Sequence, residues 1–260
     1  MQAATVAFAL FEQELPQVLF LSARAGAAML AAPLFGAMSV PVQLRAFLGV
    51  AIALFIHQWV PLPPLPDLAS VAGMAALVQE LVIGFALGFV LQIAFAIPLI
   101  AAEQIAGTMG MAMATSVDPA SGSQSGAIGQ MFSLTLIFVF LALGAHLLWF
   151  ELLIESYRAI PPGPLALSAE AMLRVPAFGG QMLATAAAIA LPVVLVLLLV
   201  QGATGVLSRS APSLNLFALG LPAGVLAGIA ALIAVLPVVI DQFADVSQLA
   251  VEQAAGVLAR

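Results

Sequence analysis

The chain reads as a series of long apolar runs separated by short turns rich in proline, glycine or serine. A helix needs about 20 apolar residues to cross the hydrocarbon core of a bilayer. Measured against that length, residues 15–35 predict a first span, interrupted by Arg24 and ended by Pro33-Leu34-Phe35-Gly36. Residues 44–60 predict a second. It is closed by Pro61-Leu62-Pro63-Pro64-Leu65-Pro66, a stretch pre-set to extended geometry that serves as a stiff connector. The run 68–104 exceeds one untilted crossing, so it predicts one long helix kinked at Pro98 or two short ones. Residues 108–129 break the pattern with Gly, Ser, Met and Ala around Asp118-Pro119. Apolar helix resumes over 130–154, and Pro161-Pro162-Gly163-Pro164 forms another stiff turn. Residues 167–173 predict a short interfacial helix, and 175–207 a long helix carrying Pro192. A loop follows at 208–213, then a last strong span at 214–240 and an amphipathic stretch at 241–260 suited to a surface. No repeat of 20–50 residues is visible.

Composition converts this pattern into a class. Hydrophobic residues make up 64% and charged residues 7% of the 260, against roughly 45–50% and 25% in soluble domains. So few charges cannot clothe a water-facing surface, and disordered chains are poor in apolar residues. The reading is an all-α polytopic membrane protein, treated as one domain over residues 1–260. The chain has no cysteine and no lysine, which excludes disulfides and thiolate metal sites and removes the basic patch that nucleic acid requires. No positive charge precedes Arg24, so targeting is expected from the apolar segments and not from a cleavable leader. If six segments each cross once, Arg45 and Arg209 fall on one side and Arg158, Arg174 and Arg260 on the other. That division leaves the orientation undecided.

Three groups of residues carry candidate chemistry. Gly84 and Gly88 form one GxxxG pattern. Gly220, Gly224 and Gly228 form a doubled one around Pro222. Small residues one turn apart let helix backbones approach closely, either within the chain or against a partner subunit. Ionisable residues inside apolar runs are costly: Arg24, Glu80, Glu103, His146 and Glu151 are in this position. They fit either a proton-coupled secondary transporter or structural pairing, with Glu80 and Glu103 marking helix ends or meeting Arg24 or Arg45. The third group is the stretch 107–126, where Met109, Met111 and Met113 alternate with small residues before the Asp118-Pro119 turn. Irregular backbone at membrane depth is tolerated when it is buried in protein or lines a water-filled path. Methionine closes around variable shapes. The stretch suits a movable plug, or else an ordinary exposed loop. Enzyme signatures are absent: the two histidines are far apart and no lysine is present for a phosphate-binding loop.

Several segments, taken in order, resemble the FliR family of flagellar export proteins and its virulence-system relatives, the SctT proteins. They are Glu80-Leu81-Val82-Ile83-Gly84-Phe85-Ala86-Leu87-Gly88-Phe89; Gly107-Thr108-Met109-Gly110-Met111-Ala112-Met113 with Asp118-Pro119 and Gly122-Ser123-Gln124; Gly144-Ala145-His146 with Ser156-Tyr157 and Pro161-Pro162-Gly163; and Ser208-Arg209-Ser210-Ala211-Pro212-Ser213-Leu214-Asn215-Leu216-Phe217 running to Gly220-Leu221-Pro222. One position departs: the family commonly has lysine after its Gly-x-Pro, and this chain has Ala223-Gly224.

The resemblance implies a component of the type III export gate in the bacterial inner membrane, within the flagellar basal body. It implies long, kinked helical hairpins similar to those of FliP and FliQ, completing a helical ring with FliP- and FliQ-like subunits beside FlhA- and FlhB-like proteins. Unfolded flagellar subunits would pass through the shared pore, with no cofactor and no catalysis by this chain. The implied plug contains Met109, Gly110, Met111, Met113, Val117, Asp118, Pro119 and Gly122. Helix packing or subunit contact is implied for Glu80, Gly84, Gly88, Arg209, Pro212, Asn215, Gly220, Pro222 and Gly224. Two rival readings are the proton-coupled small-molecule transporter and a purely structural subunit that nucleates the ring and gates nothing.

Overall fold

The computed structural model describes residues 2–37, 39–67, 70–110, 126–163, 169–210 and 216–258. Among them every regular element is an α-helix: α1 (Gln2–Ala31), α2 (Val42–Trp59), α3 (Val71–Thr108), α4 (Ala127–Ala142), α5 (Ala145–Ala159), α6 (Ala169–Ser210) and α7 (Leu216–Leu258). Among the described residues, four segments are long and apolar enough to cross a membrane: α2, α3, Met172–Ser210 of α6 and Gly220–Leu258 of α7. The broken pair α4 and α5 makes a fifth if it counts as one span. The protein is a polytopic helical membrane protein.

Helix boundaries depart from the apolar pattern at identifiable residues. The run at 68–104 is one helix, α3, which passes through Pro98 without a break. Proline removes one backbone donor, a loss that packed apolar helices accommodate. At its start Ser70 Oγ accepts from Gly73 N–H at 2.9 Å, a side-chain N-cap. The run at 130–154, expected to be continuous, divides at Gly144, whose φ of +68° is left-handed. Glycine occupies that region without a Cβ penalty. Leu143 N–H still donates to Val139 O, and the Gly144 carbonyl accepts from Leu147 and Leu148 to begin α5. Of the short interfacial helix expected at 167–173, the described residues 169–173 instead begin the long helix α6. The stretch 241–260 continues α7 to Leu258 and buries Phe243, Val246, Ala250 and Ala254. An amphipathic period of 3.6 fits a protein surface as well as a bilayer surface, and here the apolar face is covered by protein.

The chain folds as two compact units. The first comprises Met1–Ile93, Gly144–Gly179 and Leu249–Arg260; the second comprises Ala94–Leu143 and Gly180–Gln248. In the first, Val18, Phe20 and Leu21 of α1, Ala53 and Ile56 of α2, Ala76 of α3 and Tyr157 of α5 form a buried cluster. Leu62 and Leu65 pack against it, which anchors the proline-rich connector through its two leucines. Trp149 is buried, stacks with Phe35 at 6.1 Å between centroids, and donates from Nε1 to Leu87 O at 3.2 Å. Arg45 braces the turn between α1 and α2 by donating to Ala37 O and Val40 O at 2.6 and 2.7 Å.

The second unit is held by edge-to-face aromatic pairs, Phe95–Phe140 and Phe132–Phe243, with centroids 5.3 and 5.5 Å apart. Such pairs add about 0.5–1.5 kcal/mol each beyond area burial. Helix α3 is the most enclosed of the spans: its most apolar window is 67% buried, against 28% for α6 and for α7. Leu195 and Leu199 of α6 and Leu226 and Ile233 of α7 therefore point outward from this chain.

Candidate functional site

Two arrangements stand out, one in each unit. The first is built on Arg24, which lies fully buried two turns before the C-terminal end of α1. A buried guanidinium requires an opposing charge and partners for its donors. Glu80 of α3, also fully buried, accepts from Arg24 Nε at 2.8 Å and from Nη2 at 2.6 Å. Arg24 Nη1 donates to Ser156 Oγ at 3.0 Å, and Nη2 donates to Ile160 O at 2.8 Å. Ile160 ends α5, so the cation also neutralises the negative end of that helix. The guanidinium carbon stands 4.2 Å over the Tyr157 ring, and Tyr157 Oη donates to Leu21 O at 2.6 Å. One cation thus fastens α1 to α3 and α5. Replacing Tyr157 by Phe keeps the ring under Arg24 and removes one hydrogen bond. The expected cost is about 1 kcal/mol, read as a fall of about 2–4 °C in melting temperature.

The same face of α3 carries the glycines. Glu80, Gly84 and Gly88 recur every four residues and so stand above one another. A Cβ at Gly84 would strike the Arg24 carbonyl and lie 2.8 Å from Ala27 Cβ. At Gly88 it would lie 2.5 Å from Ala28 O and 2.7 Å from Ala31 Cβ. The glycines set the approach of α1 to α3, and that approach sets the ion pair.

The second arrangement, in the other unit, holds the C-terminal end of α3. Thr108 ends the helix, and its carbonyl accepts from Gln201 Nε2 of α6 at 2.5 Å. The next residue, Met109, is 2% exposed and rests against α7. A Cβ at Gly228 would lie 2.6–2.8 Å from Met109 Cε, Cγ and Sδ; one at Gly224 would lie 3.2 Å from Met109 O. Gly110 then turns with φ +83°, its Cα side against Leu221 Cδ2. Beside this seat lies an apolar cavity of about 340 Å³, bounded by Met109, Ile128 and Met131 and by Ile229, Leu232 and Ile233 of α7.

The remaining residues singled out from the sequence are dispersed. Met111, Met113, Val117, Asp118, Pro119 and Gly122 lie outside the described residues, as do Pro212 and Asn215. Arg209 is exposed in the last turn of α6, and Pro222 is exposed within α7. Gly220 is half-buried and Gly224 buried. Of the candidate proton-coupling groups, Glu80 is engaged by Arg24, whereas Glu103 and Glu151 are exposed. His146 is half-buried, with Nδ1 lacking a hydrogen-bond partner among the described residues. Sequence reasoning offers Arg24 as one option for Glu80 but misses Ser156 and Tyr157 as further partners of Arg24, and misses Gln201 altogether. The four-residue spacing from Glu80 to the glycines was the available signal for the first set; Gln201 has no such pattern.

Comparison with known proteins places the chain. The family described as bacterial export proteins, family 1, matches residues 15–250. The flagellar biosynthetic protein FliR of Pectobacterium carotovorum is 33% identical over 208 residues, covering 80% of this chain and 79% of the relative. FliR of Escherichia coli K12 is 32% identical over the same shares. The Yop proteins translocation protein T of Yersinia pestis is 30% identical over 183 residues, 70% of each chain. With a membrane-spanning helical fold and matches of this extent, the chain belongs to the bacterial export protein family of FliR and its type III secretion relatives, and is a non-enzymatic inner-membrane component of an export apparatus.

Proposed function

We propose that the chain is a subunit of the flagellar protein export gate. With FliP- and FliQ-like subunits it forms the pore for unfolded flagellar proteins, working beside FlhA- and FlhB-like proteins, and it contributes the stretch 107–126 as the element that closes that pore. The observation that carries this reading is the agreement between family membership over residues 15–250 and the way the stretch begins. Helix α3 ends at Thr108, and the next residue, Met109, is buried and wedged against α7, followed by Gly110 with a left-handed φ. A closing element needs a fixed base, and the base is present. The outward apolar faces of α6 and α7 supply surface for neighbouring helices of the ring or for lipid. Closure resting on methionine and small residues is made of contacts weak one by one, so an arriving polypeptide displaces them. With no lysine in the chain for a phosphate-binding loop, the energy for export is supplied by other parts of the machine.

Deleting residues 110–125 is the test. The variant gate is expected to assemble with its partners and to leak ions or small molecules well above the wild-type level, measured in cells under a membrane potential. A deletion gate that assembles and stays as tight as wild type removes the closing role and leaves a structural subunit.

A further inference from the structure

We propose that Gln201, Gly224 and Gly228 are positioning residues for closure: they fix the root of the closing element, and Gly110 is the pivot beyond it. The proposal rests on the reading of residues 107–126 as that element. Three contacts, from two different helices, converge on two consecutive residues, Thr108 and Met109. Gln201 of α6 donates to the Thr108 carbonyl at 2.5 Å, one of the groups a helix end leaves without an internal partner. The Met109 carbonyl lies 3.2 Å from where a Gly224 Cβ would stand, so α7 receives the backbone there. The Met109 side chain fills the place a Gly228 side chain would take, at 2.6–2.8 Å for three of its atoms. Backbone carbonyl, side chain and helix end are each held separately, and Met109 is almost wholly buried as a result.

The pattern on α7 acquires a specific use from this. Gly224 and Gly228 are one turn apart, as in helix–helix packing motifs, but what they admit is the end of a helix and one methionine. Beyond Met109 the restraint changes character. Gly110, the first residue beyond the held Met109, has a left-handed φ of +83°, a conformation open to glycine at low cost.

The experiment uses the assembled gate in cells, with partner recovery measured in parallel. Gly228→Val adds a branched side chain whose Cβ alone would stand 2.6–2.8 Å from Met109 Cε, Cγ and Sδ, and Gln201→Leu removes the donor to Thr108. Each is expected to raise leakage several-fold at unchanged partner recovery. Adding Met109→Ala to Gly228→Val is expected to restore tightness, because the valine then fills the vacated space. The chain has no cysteine, so a Met109→Cys, Gly228→Cys pair would form the sole disulfide. A Gly228 Cβ lies 2.7 Å from Met109 Cγ, one bond from the Met109 Cβ, which keeps the two Cβ atoms closer than the upper limit of about 4.5 Å for a disulfide. If the valine and leucine variants fail to assemble, this pair carries the test: the oxidised gate is expected to remain tight and still export. Export blocked by oxidation and restored by reductant overturns a fixed root. Variants as tight as wild type also overturn it, provided the 110–125 deletion leaks. A tight deletion gate overturns the closing role itself and this proposal with it.

Discussion

Arg24→Leu is expected to abolish stable accumulation of the protein in the membrane. The substitution leaves Glu80 fully buried with neither of its guanidinium donors, and leaves the Ile160 carbonyl without its cation. Breaking a buried pair by removing one partner costs about 3–5 kcal/mol, a large part of the 5–15 kcal/mol that holds a typical fold together. Glu80→Leu fails for the converse reason, a buried unpaired guanidinium. The informative variant is the double replacement Arg24→Met with Glu80→Met. Removing both charges together with apolar groups of similar volume is often neutral or stabilising. Ser156 Oγ keeps its bond to Leu153 O, and Tyr157 keeps its bond to Leu21 O. The double variant is therefore expected to recover most of the protein level and melting temperature lost in either single variant. Measuring all three levels in membranes decides whether the pair acts through its charges alone.

Gly84→Leu and Gly88→Leu are expected to be comparably damaging, through sterics and not charge. The atoms that an added Cβ would meet at these positions are mainly the α1 backbone at Arg24 and Ala28 and the short side chains of Ala27 and Ala31. None of these can swing aside as a long side chain does, so α1 has to move off α3. Overpacking of a tight contact costs about 1–3 kcal/mol or more. Here the displacement also draws Arg24 away from Glu80, adding part of the ion-pair loss. Gly26→Ala is the control: it lies on α1, the helix these glycines face, and an added Cβ there meets nothing within 4 Å. Thermal unfolding of the purified complex should show large losses at Gly84 and Gly88 and little change at Gly26.

The sequence carried the fold class because a bilayer imposes one length and one polarity on every crossing element, and the runs display both. It carried boundaries less well. Gly144 is a single residue whose left-handed φ ends α4, and a glycine inside an apolar run looks the same whether the helix continues or breaks. Pro98 errs in the other direction, a conspicuous residue that leaves α3 intact. The site was legible where spacing encodes it: Gly84 and Gly88 were visible as a pattern, and adding Glu80 at the same interval points at the buried clamp. The partners Ser156, Tyr157 and Gln201 lie 132, 136 and 93 positions from the groups they touch. Contacts between helices so distant in the chain leave no local periodicity to read.

The most direct measurement is recovery of the tagged, full-length protein from native membranes in mild detergent, followed by determination of particle mass and composition. A gate subunit is recovered in one large particle with FliP- and FliQ-like polypeptides, and the chain reconstituted by itself moves no solute. A single monodisperse chain that takes up a small molecule on its own, driven by a proton gradient, would contradict the account.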